Sequence, residues 1–384
     1  MPSELTRPVP AAIGRARSGP LRRLCRAAKI VALNLIVLVL LLIPIELYFG
    51  DWLAGDGTIS LLNVRPNTLD VEASPLYPAG TTITYRRDRY GFRGAPADPA
   101  AIDVLAIGGS TTNERFVDEA DTWTARLQRA LRESGCAVAI ANAGIDGYST
   151  VANIASFDGW FDRVPGLKPR FMLVLLGVND AEVDPRAVSN ADSQKYTNPL
   201  RRLAHYVAAR SAVRRLYVAA RGWWQARRGH LQHGGVRVSG DAVWQETALP
   251  PDFAAELAGK LPAYRARLTR LTRLIRDFGA RPIYITQQRR DGRVVDGQWQ
   301  QIAGSDGARD TALVMAINET TLDFCHDTSE TCIDLAGRID FAPEDYYDAV
   351  HTAPAGSARI AAFLAPALRP VLCRDGASQA AGRP

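Results

Sequence analysis

The chain has 384 residues, of which 47% are hydrophobic and 22% charged, and this composition excludes a largely disordered protein. The net charge of +6 is unevenly spread: residues 1–29 carry seven Lys or Arg and one acid, and residues 193–240 carry ten Lys or Arg and no acid. The remainder therefore has a net charge of −10. An acidic main body argues against a nucleic-acid-binding protein with a basic face.

The first predicted element is a transmembrane helix at residues 29–49, which follows a basic tail at residues 1–28. With its flanks, the apolar run extends from Ala27 to Phe49, and crossing a bilayer takes about 20 helical residues. The seven upstream cations place the N-terminus in the cytoplasm and the rest of the chain outside. A cleaved signal peptide is the alternative. The long basic region and the bulky residues after the run favour an uncleaved anchor in the inner membrane.

Beyond a connecting segment at residues 50–100, short apolar runs alternate with amphipathic stretches across residues 101–373. The predicted strands are Asp103–Ile107, Ala137–Ala141, Phe171–Leu176, Pro282–Thr286 and Cys332–Leu335. The predicted helices are Thr122–Glu133, Val151–Phe161, Asp310–Phe324 and Ser357–Leu372. This alternation predicts an α/β fold with a parallel sheet and helices on both faces. Ligands of such sheets bind beyond the carboxyl ends of the strands.

An insertion at about residues 185–276 interrupts the alternation and is predicted to be largely helical. From Arg201 to Arg228 it interleaves arginines with apolar residues at helical spacing. This pattern fits a helix on an anionic membrane surface or one that grips an acidic glycan. The alternative is a helix with solvated arginines that packs on the core. Residues 374–384 are predicted to form a flexible tail.

Candidate catalytic residues follow several predicted strands. Asp348 and His351 lie three residues apart, so the carboxylate can hold the imidazole in one tautomer. Ser110 follows an apolar run and two glycines, as a nucleophile at a strand end would. Gly147 and Asn179 each come just after another predicted strand, and the parallel topology should bring them to Ser110.

The blocks GGST, NAGIDGYS, GVND and DAVH, in this order, resemble the SGNH (GDSL-type) hydrolase family. The resemblance covers about residues 103–372, apart from the insertion. It implies a flavodoxin-like three-layer α/β/α sandwich that hydrolyses esters without a metal or another cofactor. Matched block by block, it implies that Ser110 is the nucleophile, that His351 is the general base and that Asp348 orients His351.

The same resemblance assigns the oxyanion hole to the Ser110 amide, the Gly147 amide and the Asn179 side chain. The family's first block usually carries an aspartate before the serine, whereas Gly109 stands here. Thr111-x-x-Glu114 has the pattern of a helix capping box. Asp180 is expected to order its loop rather than to take part in the chemistry.

The remaining histidines and the cysteines indicate structure rather than chemistry. His230 and His233 have a metal-like spacing, but no carboxylate or cysteine accompanies them, so they are interpreted as surface residues. Cys325 and Cys332 have a spacing that suits a disulfide outside the cytoplasm. Cys136 and Cys373 either pair or stay reduced, and Cys25 lies on the cytoplasmic side of the predicted anchor.

These features lead to three hypotheses. The first is a membrane-anchored, extracytoplasmic serine esterase whose substrate is an acyl ester, with an acetyl group on a carbohydrate as the expected case. The second is an O-acyltransferase of exopolysaccharide or envelope assembly that uses the same residues and has assembly proteins as partners. The third is a non-catalytic glycan-binding scaffold. The intact Ser–His–Asp set disfavours the third hypothesis.

Overall fold

The computed structural model describes residues 20–50, 52, 62, 64–78, 80–184, 207, 210–214, 216–217 and 242–373. The catalytic blocks all lie in this part. The basic tail before residue 20, most of the basic insertion with His205, His230 and His233, and the tail at 374–384 lie outside it.

A five-stranded parallel sheet forms the centre of the molecule. In chain order its strands are β3 (Val104–Gly108), β4 (Ile140–Asn142), β5 (Phe171–Leu175), β7 (Arg281–Ile285) and β10 (Thr331–Ile333). They are arranged in space as β10–β7–β5–β3–β4, with parallel pairing throughout. The chain thus leaves β3 in one direction for β4 and later returns to its other side for β5. This reversal opens a crevice at the carboxyl edge between β3 and β5.

Helices cover both faces of the sheet. They are α2 (Ser110–Asn113), α3 (Trp123–Glu133), α4 (Thr150–Gly159), α5 (Phe253–Asp277), α6 (Gly307–Thr328) and α7 (Pro354–Leu372). One buried cluster joins α4, α5 and α6 to the sheet, and a second joins α3 and α7 to the opposite face. Along β3 the side chains alternate between the clusters, as the pleat requires. The predicted three-layer α/β/α fold is confirmed.

Helix α1 (Pro20–Phe49) precedes the sheet domain. Its part Ala27–Phe49 is 23 residues long and apolar enough to cross a membrane, a property that anchors and signal sequences share. Near its end, Glu46 accepts hydrogen bonds from the Ser211 hydroxyl at 2.6 Å and from the Ala212 amide at 2.9 Å. A described stretch of the insertion therefore contacts the C-terminal end of the apolar helix.

Residues of the connecting segment form an antiparallel pair, β1 (Thr68–Ala73) and β2 (Thr82–Arg87). This segment packs on the domain, because Val64 and Phe92 belong to the same buried cluster as α4 and α5. Phe92 stacks on Trp160 with ring centroids 5.1 Å apart. The segment is thus part of the folded body that carries the site.

A small antiparallel sheet, absent from the sequence prediction, contains β6 (Trp244–Glu246), β8 (Gly292–Val295) and β9 (Gln298–Ile302). The C-terminal part of the insertion is a helix, as predicted. Helix α5 buries Tyr264, Leu268 and Leu271 against the sheet and so forms part of one helical layer.

Two disulfides are present in the described residues. One joins Cys325 at the end of α6 to Cys332 in β10, and the other joins Cys136 to Cys373 across 237 residues. The second bond connects the end of α3 to the end of α7, two helices that pack against each other on one face of the sheet. Both bonds are of the kind that persists in oxidising compartments.

Candidate active site

Ser110 lies at the beginning of α2, immediately beyond the carboxyl end of β3. The fully buried strand fixes the position at which the chain emerges into the crevice. The turn closes through hydrogen bonds from the Thr112 and Asn113 amides to the Gly109 carbonyl, at 3.1 and 3.0 Å. A half-buried Ser110 hydroxyl is thereby held on a rigid turn at the edge of the sheet.

The loop before α7 brings Asp348 and His351 to this serine. His351 Nε2 lies 2.6 Å from Ser110 Oγ, and His351 Nδ1 lies 2.7 Å from Asp348 Oδ2. The other carboxylate oxygen, Oδ1, accepts hydrogen bonds from the Val350 and His351 amides. Burial alone would raise the pKa of Asp348, but the hydrogen bonds from His351 and these amides lower it below its ordinary value. The carboxylate therefore stays ionised and fixes the imidazole.

An aromatic ring supports the imidazole from one side. The Tyr347 ring is parallel to that of His351 within 11°, with centroids 5.5 Å apart, and Phe116 contacts Tyr347 edge-on. Burial and the nearby carboxylates of Asp348 and Asp146 raise the pKa of Tyr347, so its phenol is neutral. Stacking leaves the imidazole few alternative orientations.

The structure also brings the second and third blocks to the turn at residues 109–113, here called the nucleophile turn after the predicted role of Ser110. Asn179 Nδ2 donates a hydrogen bond to the Tyr148 carbonyl at 2.8 Å, and a Cβ built on Gly109 would lie 2.4 Å from the same nitrogen. Gly147, next to Tyr148, is exposed and has a φ of +76°, a conformation that favours glycine. Because an amide NH₂ has two hydrogens, Asn179 keeps a donor besides the one that Tyr148 accepts.

Asp180, next to Asn179, is fully buried. Its carboxylate accepts hydrogen bonds from the Thr150 amide at 3.0 Å and from the Thr150 hydroxyl. Arg267 from α5 completes the group, with an Nη2–Oδ1 distance of 3.3 Å. The network ties the loop after β5 to the start of α4 and to α5. Asp180 thus has the structural role that the sequence indicated.

Gly109 explains the departure from the usual first block. A side chain there would meet Asn179 Nδ2 at 2.4 Å and the Tyr148 carbonyl at 2.9 Å, closer than real Cβ atoms approach such groups. An aspartate would therefore not fit at position 109 without movement of these two groups. In this chain, the two loops that flank the serine occupy the space that a side chain would need.

We expect Gly109→Ala to reduce kcat for a short acyl ester by about 10²-fold, the typical effect of losing one oxyanion donor. The added methyl group should displace the Asn179 amide while leaving Ser110 and His351 in contact. Steady-state kinetics measure this effect. On an Asn179→Ala background the same change should cost little more, and a full further 10²-fold loss there would show that the methyl group acts elsewhere.

Two buried arginines of the connecting segment, which the sequence analysis did not single out, hold the nucleophile turn from below. Arg87 donates to Asn113 Oδ1 at 2.6 Å and to the Gly144 carbonyl at 2.5 Å. Arg93 donates to the carbonyls of Asn113 and Glu114. Their only signal in the sequence is the unusual run of arginines in TYRRDRYGFR, which is equally compatible with a solvated strand.

Glu114 differs from the predicted capping box. It has a φ of +50° at the end of α2, and its buried carboxylate accepts hydrogen bonds from the Trp123 amide at 2.7 Å and from Ser357. It therefore connects the nucleophile turn to the starts of α3 and α7. Burial raises the pKa of Glu114 to about 7, against the opposing effects of these hydrogen bonds and of Arg93.

This raised pKa predicts a pH-dependent stability. The folded state holds the proton more tightly than the unfolded state, so this stabilisation is complete below pH 4.5 and is lost as the pH rises to about 7. We expect Glu114→Gln to remove about 3 kcal/mol of pH dependence from the free energy of unfolding. Urea unfolding at pH 5 and pH 8 measures it, with the exposed Glu133→Gln as control. If the free energy of unfolding changed equally between pH 5 and pH 8 in Glu114→Gln and in Glu133→Gln, the prediction would be contradicted.

A hydrogen-bonded Ser–His–Asp set at the carboxyl edge of a doubly wound sheet is the arrangement of serine hydrolases. A model of the GDSL-like lipase/acylhydrolase family matches residues 106–359, about two thirds of the chain. The chain belongs to this family and is an ester-hydrolysing enzyme. The comparison with curated protein sequences found no match.

Solved structures of similar proteins are distant in sequence. TesA is 15% identical with a TM-score of 0.38, and the match covers 70% of this chain and 98% of TesA. An acetylxylan esterase from Geobacillus stearothermophilus is 13% identical with a TM-score of 0.39, over 73% of this chain and 96% of that one. An alpha/beta hydrolase from the metagenome of Lake Arreo is 15% identical with a TM-score of 0.37, over 70% and 95%.

Proposed function

We propose that this protein is a membrane-anchored serine esterase that removes short O-acyl groups, acetyl above all, from a glycan outside the cytoplasm. The observation that carries the catalytic part is the continuous hydrogen-bonded chain from Ser110 Oγ through His351 to Asp348, at 2.6 and 2.7 Å. These distances permit proton transfer without rearrangement.

In the proposed mechanism, Ser110 Oγ attacks the ester carbonyl while His351 Nε2 takes the hydroxyl proton. The negative charge on the former carbonyl oxygen is stabilised by the Ser110 and Gly147 amides and by Asn179 Nδ2. His351 then gives its proton to the leaving alcohol as the C–O bond breaks, and an acyl-Ser110 ester remains. A water molecule, deprotonated by His351, attacks this ester; as the bond between the acyl carbon and Ser110 Oγ breaks, His351 returns the proton to Oγ and the carboxylic acid leaves.

The membrane anchor and the location outside the cytoplasm are supported by three features. Six arginines precede the apolar span Ala27–Phe49 and Lys29 lies near its start, and the positive-inside rule then directs the folded domain away from the cytoplasm. Both disulfides of the described residues fit an oxidising compartment. The apolar helix itself is exposed to its surroundings along the span, as a helix in lipid would be.

The proposal of a glycan substrate rests on the charge distribution of the chain and on its proposed location at the membrane. An enzyme anchored at the outer face of a membrane encounters cell-wall polymer and exported polysaccharide. The ten cations of residues 193–240 offer a counter-charge to an acidic polymer that the acidic body would repel.

The test uses the full chain in detergent with acetyl and octanoyl esters of one chromogenic alcohol, and with an O-acetylated acidic polysaccharide. We expect faster turnover of the acetyl ester and release of free acetate from the polymer. Transfer of acetyl to an added sugar hydroxyl in preference to water would instead establish an O-acyltransferase. A domain accessible only from the cytoplasm in reporter fusions would refute the location.

A further inference from the structure

Gln287 lies just beyond the end of β7 and touches two of the loops that form the candidate active site. The residue is buried, with 6% of its surface exposed. Nε2 donates a hydrogen bond to Thr111 Oγ1 at 2.7 Å, and Oε1 accepts one from the Val178 amide at 2.9 Å. Thr111 directly follows Ser110, and Val178 directly precedes Asn179. One amide group thus reaches the chain neighbours of both residues.

The orientation of this amide is fixed by chemistry. A backbone N–H can only donate, so the oxygen of Gln287 must face Val178, and the NH₂ group then faces the hydroxyl of Thr111. A second amide residue, Asn318 of α6, fixes the backbone of Gln287 from the other side. It accepts the Gln287 N–H at 3.1 Å and donates to the Gln287 carbonyl at 2.6 Å.

The topology explains why a residue at this position can act on both loops. Strands β7, β5 and β3 are successive neighbours in the sheet, and their carboxyl ends lie side by side. The loop after β5 turns at Gly177, whose φ of +140° is open to glycine but rarely to other residues. A chain turning there needs an outside contact to define where Asn179 points, and the Val178–Gln287 hydrogen bond supplies one.

We propose that Gln287 is a positioning residue that sets the distance between the nucleophile Ser110 and the oxyanion donor Asn179. This inference rests on the proposed catalytic roles of those two residues. Gln287 touches no reacting atom and acts through Thr111 and Val178. A shift of either partner by about 1 Å would cost about 10²-fold in rate, because the donor must meet the oxyanion at hydrogen-bond distance in the transition state.

The experiment compares Gln287→Met, which keeps the length of the side chain without its hydrogen bonds, with Gln287→Glu, which keeps the acceptor for Val178. We expect Gln287→Met to lower kcat for an acetyl ester 10- to 100-fold with KM within twofold, and Gln287→Glu to lose less. Gln298→Met, an exposed position on β9, is the matched control and should be unchanged. Gln287→Glu serves as the readout if Gln287→Met does not fold.

A double-mutant cycle separates positioning from general destabilisation. On an Asn179→Ala background, Gln287→Met should lower kcat by less than threefold, because the donor that it positions is already gone. An unchanged kcat in both single variants, or a full multiplicative loss on the Asn179→Ala background, would overturn the inference. Wild-type turnover in Ser110→Ala would instead overturn the proposed function on which it rests, so the two failures are distinguishable.

Discussion

Ser110→Ala is expected to reduce turnover of an acetyl ester by about 10⁴- to 10⁶-fold, with His351→Ala causing a loss of the same size. The reason is geometric. The serine hydroxyl and the imidazole share one hydrogen bond of 2.6 Å, and neither can form the acyl-enzyme without the other. Steady-state kinetics on the full chain measure both losses.

The control for this prediction is the double variant. Because residues of one catalytic unit are not additive, Ser110→Ala with His351→Ala should be little worse than either change alone. Losses that multiply would mean that the two residues act independently. The hydrogen bond between them would then have no catalytic meaning.

The second large effect concerns stability. Replacing Cys136 and Cys373 by alanine is expected to lower the free energy of unfolding by about 5 kcal/mol, because this bond closes a loop of 237 residues in the unfolded chain. The same change at Cys325 and Cys332, only seven residues apart, should cost about 2 to 3 kcal/mol. Urea unfolding of the two variants measures the difference.

The location of the long disulfide adds a second expectation. It fastens the C-terminal end of α7, whereas His351 lies three residues before the start of this helix. Its removal should therefore leave the acetyl-ester kcat nearly unchanged at low temperature while unfolding becomes easier. Equal destabilisation by the two disulfide variants would contradict the chain-entropy argument. Free thiols found by mass mapping of the purified protein would contradict the bonds themselves.

The central fold could be predicted because its signals are local. Each of the five predicted strands became a strand of the parallel sheet, and the helices followed their amphipathic pattern. For these strands and helices, the errors of the prediction lie at the boundaries of the elements. Strand β4 has only three residues, Ile140–Asn142, and α7 starts at Pro354, a first-turn proline whose preference for that position was not used.

The hairpin of β8 and β9 was also accessible in principle. Asp296 and Gly297 both have positive φ, +50° and +79°, and an Asp-Gly pair between two short strands is a strong hairpin signal. The two strands around it are short and largely exposed, and they mix apolar with polar residues without a clear alternation. Since the hairpin buries little, hydrophobic periodicity carries almost no information about it.

In the candidate site, too, the residues with a local sequence signal could be predicted and those that depend on distant contacts could not. Short blocks indicated Ser110, Gly147, Asn179 and the Asp348–His351 pair, since each comes with its own strand end or turn. Gln287, by contrast, acts through partners 109 and 176 residues away. Such contacts depend on how the strands are ordered in the sheet, and a single glutamine after an apolar run carries no sign of them.

The central claim, that Ser110 is the nucleophile of a serine esterase, is tested most directly by covalent labelling. The full chain is treated with a fluorophosphonate that reacts with activated serines, and the modified peptide is identified by mass spectrometry. We expect one adduct, on Ser110, formed at the rate at which acetyl-ester turnover disappears, and no adduct in His351→Ala on the same time scale. An adduct on another residue that accompanies the loss of activity, or full activity with Ser110 modified, would contradict this account.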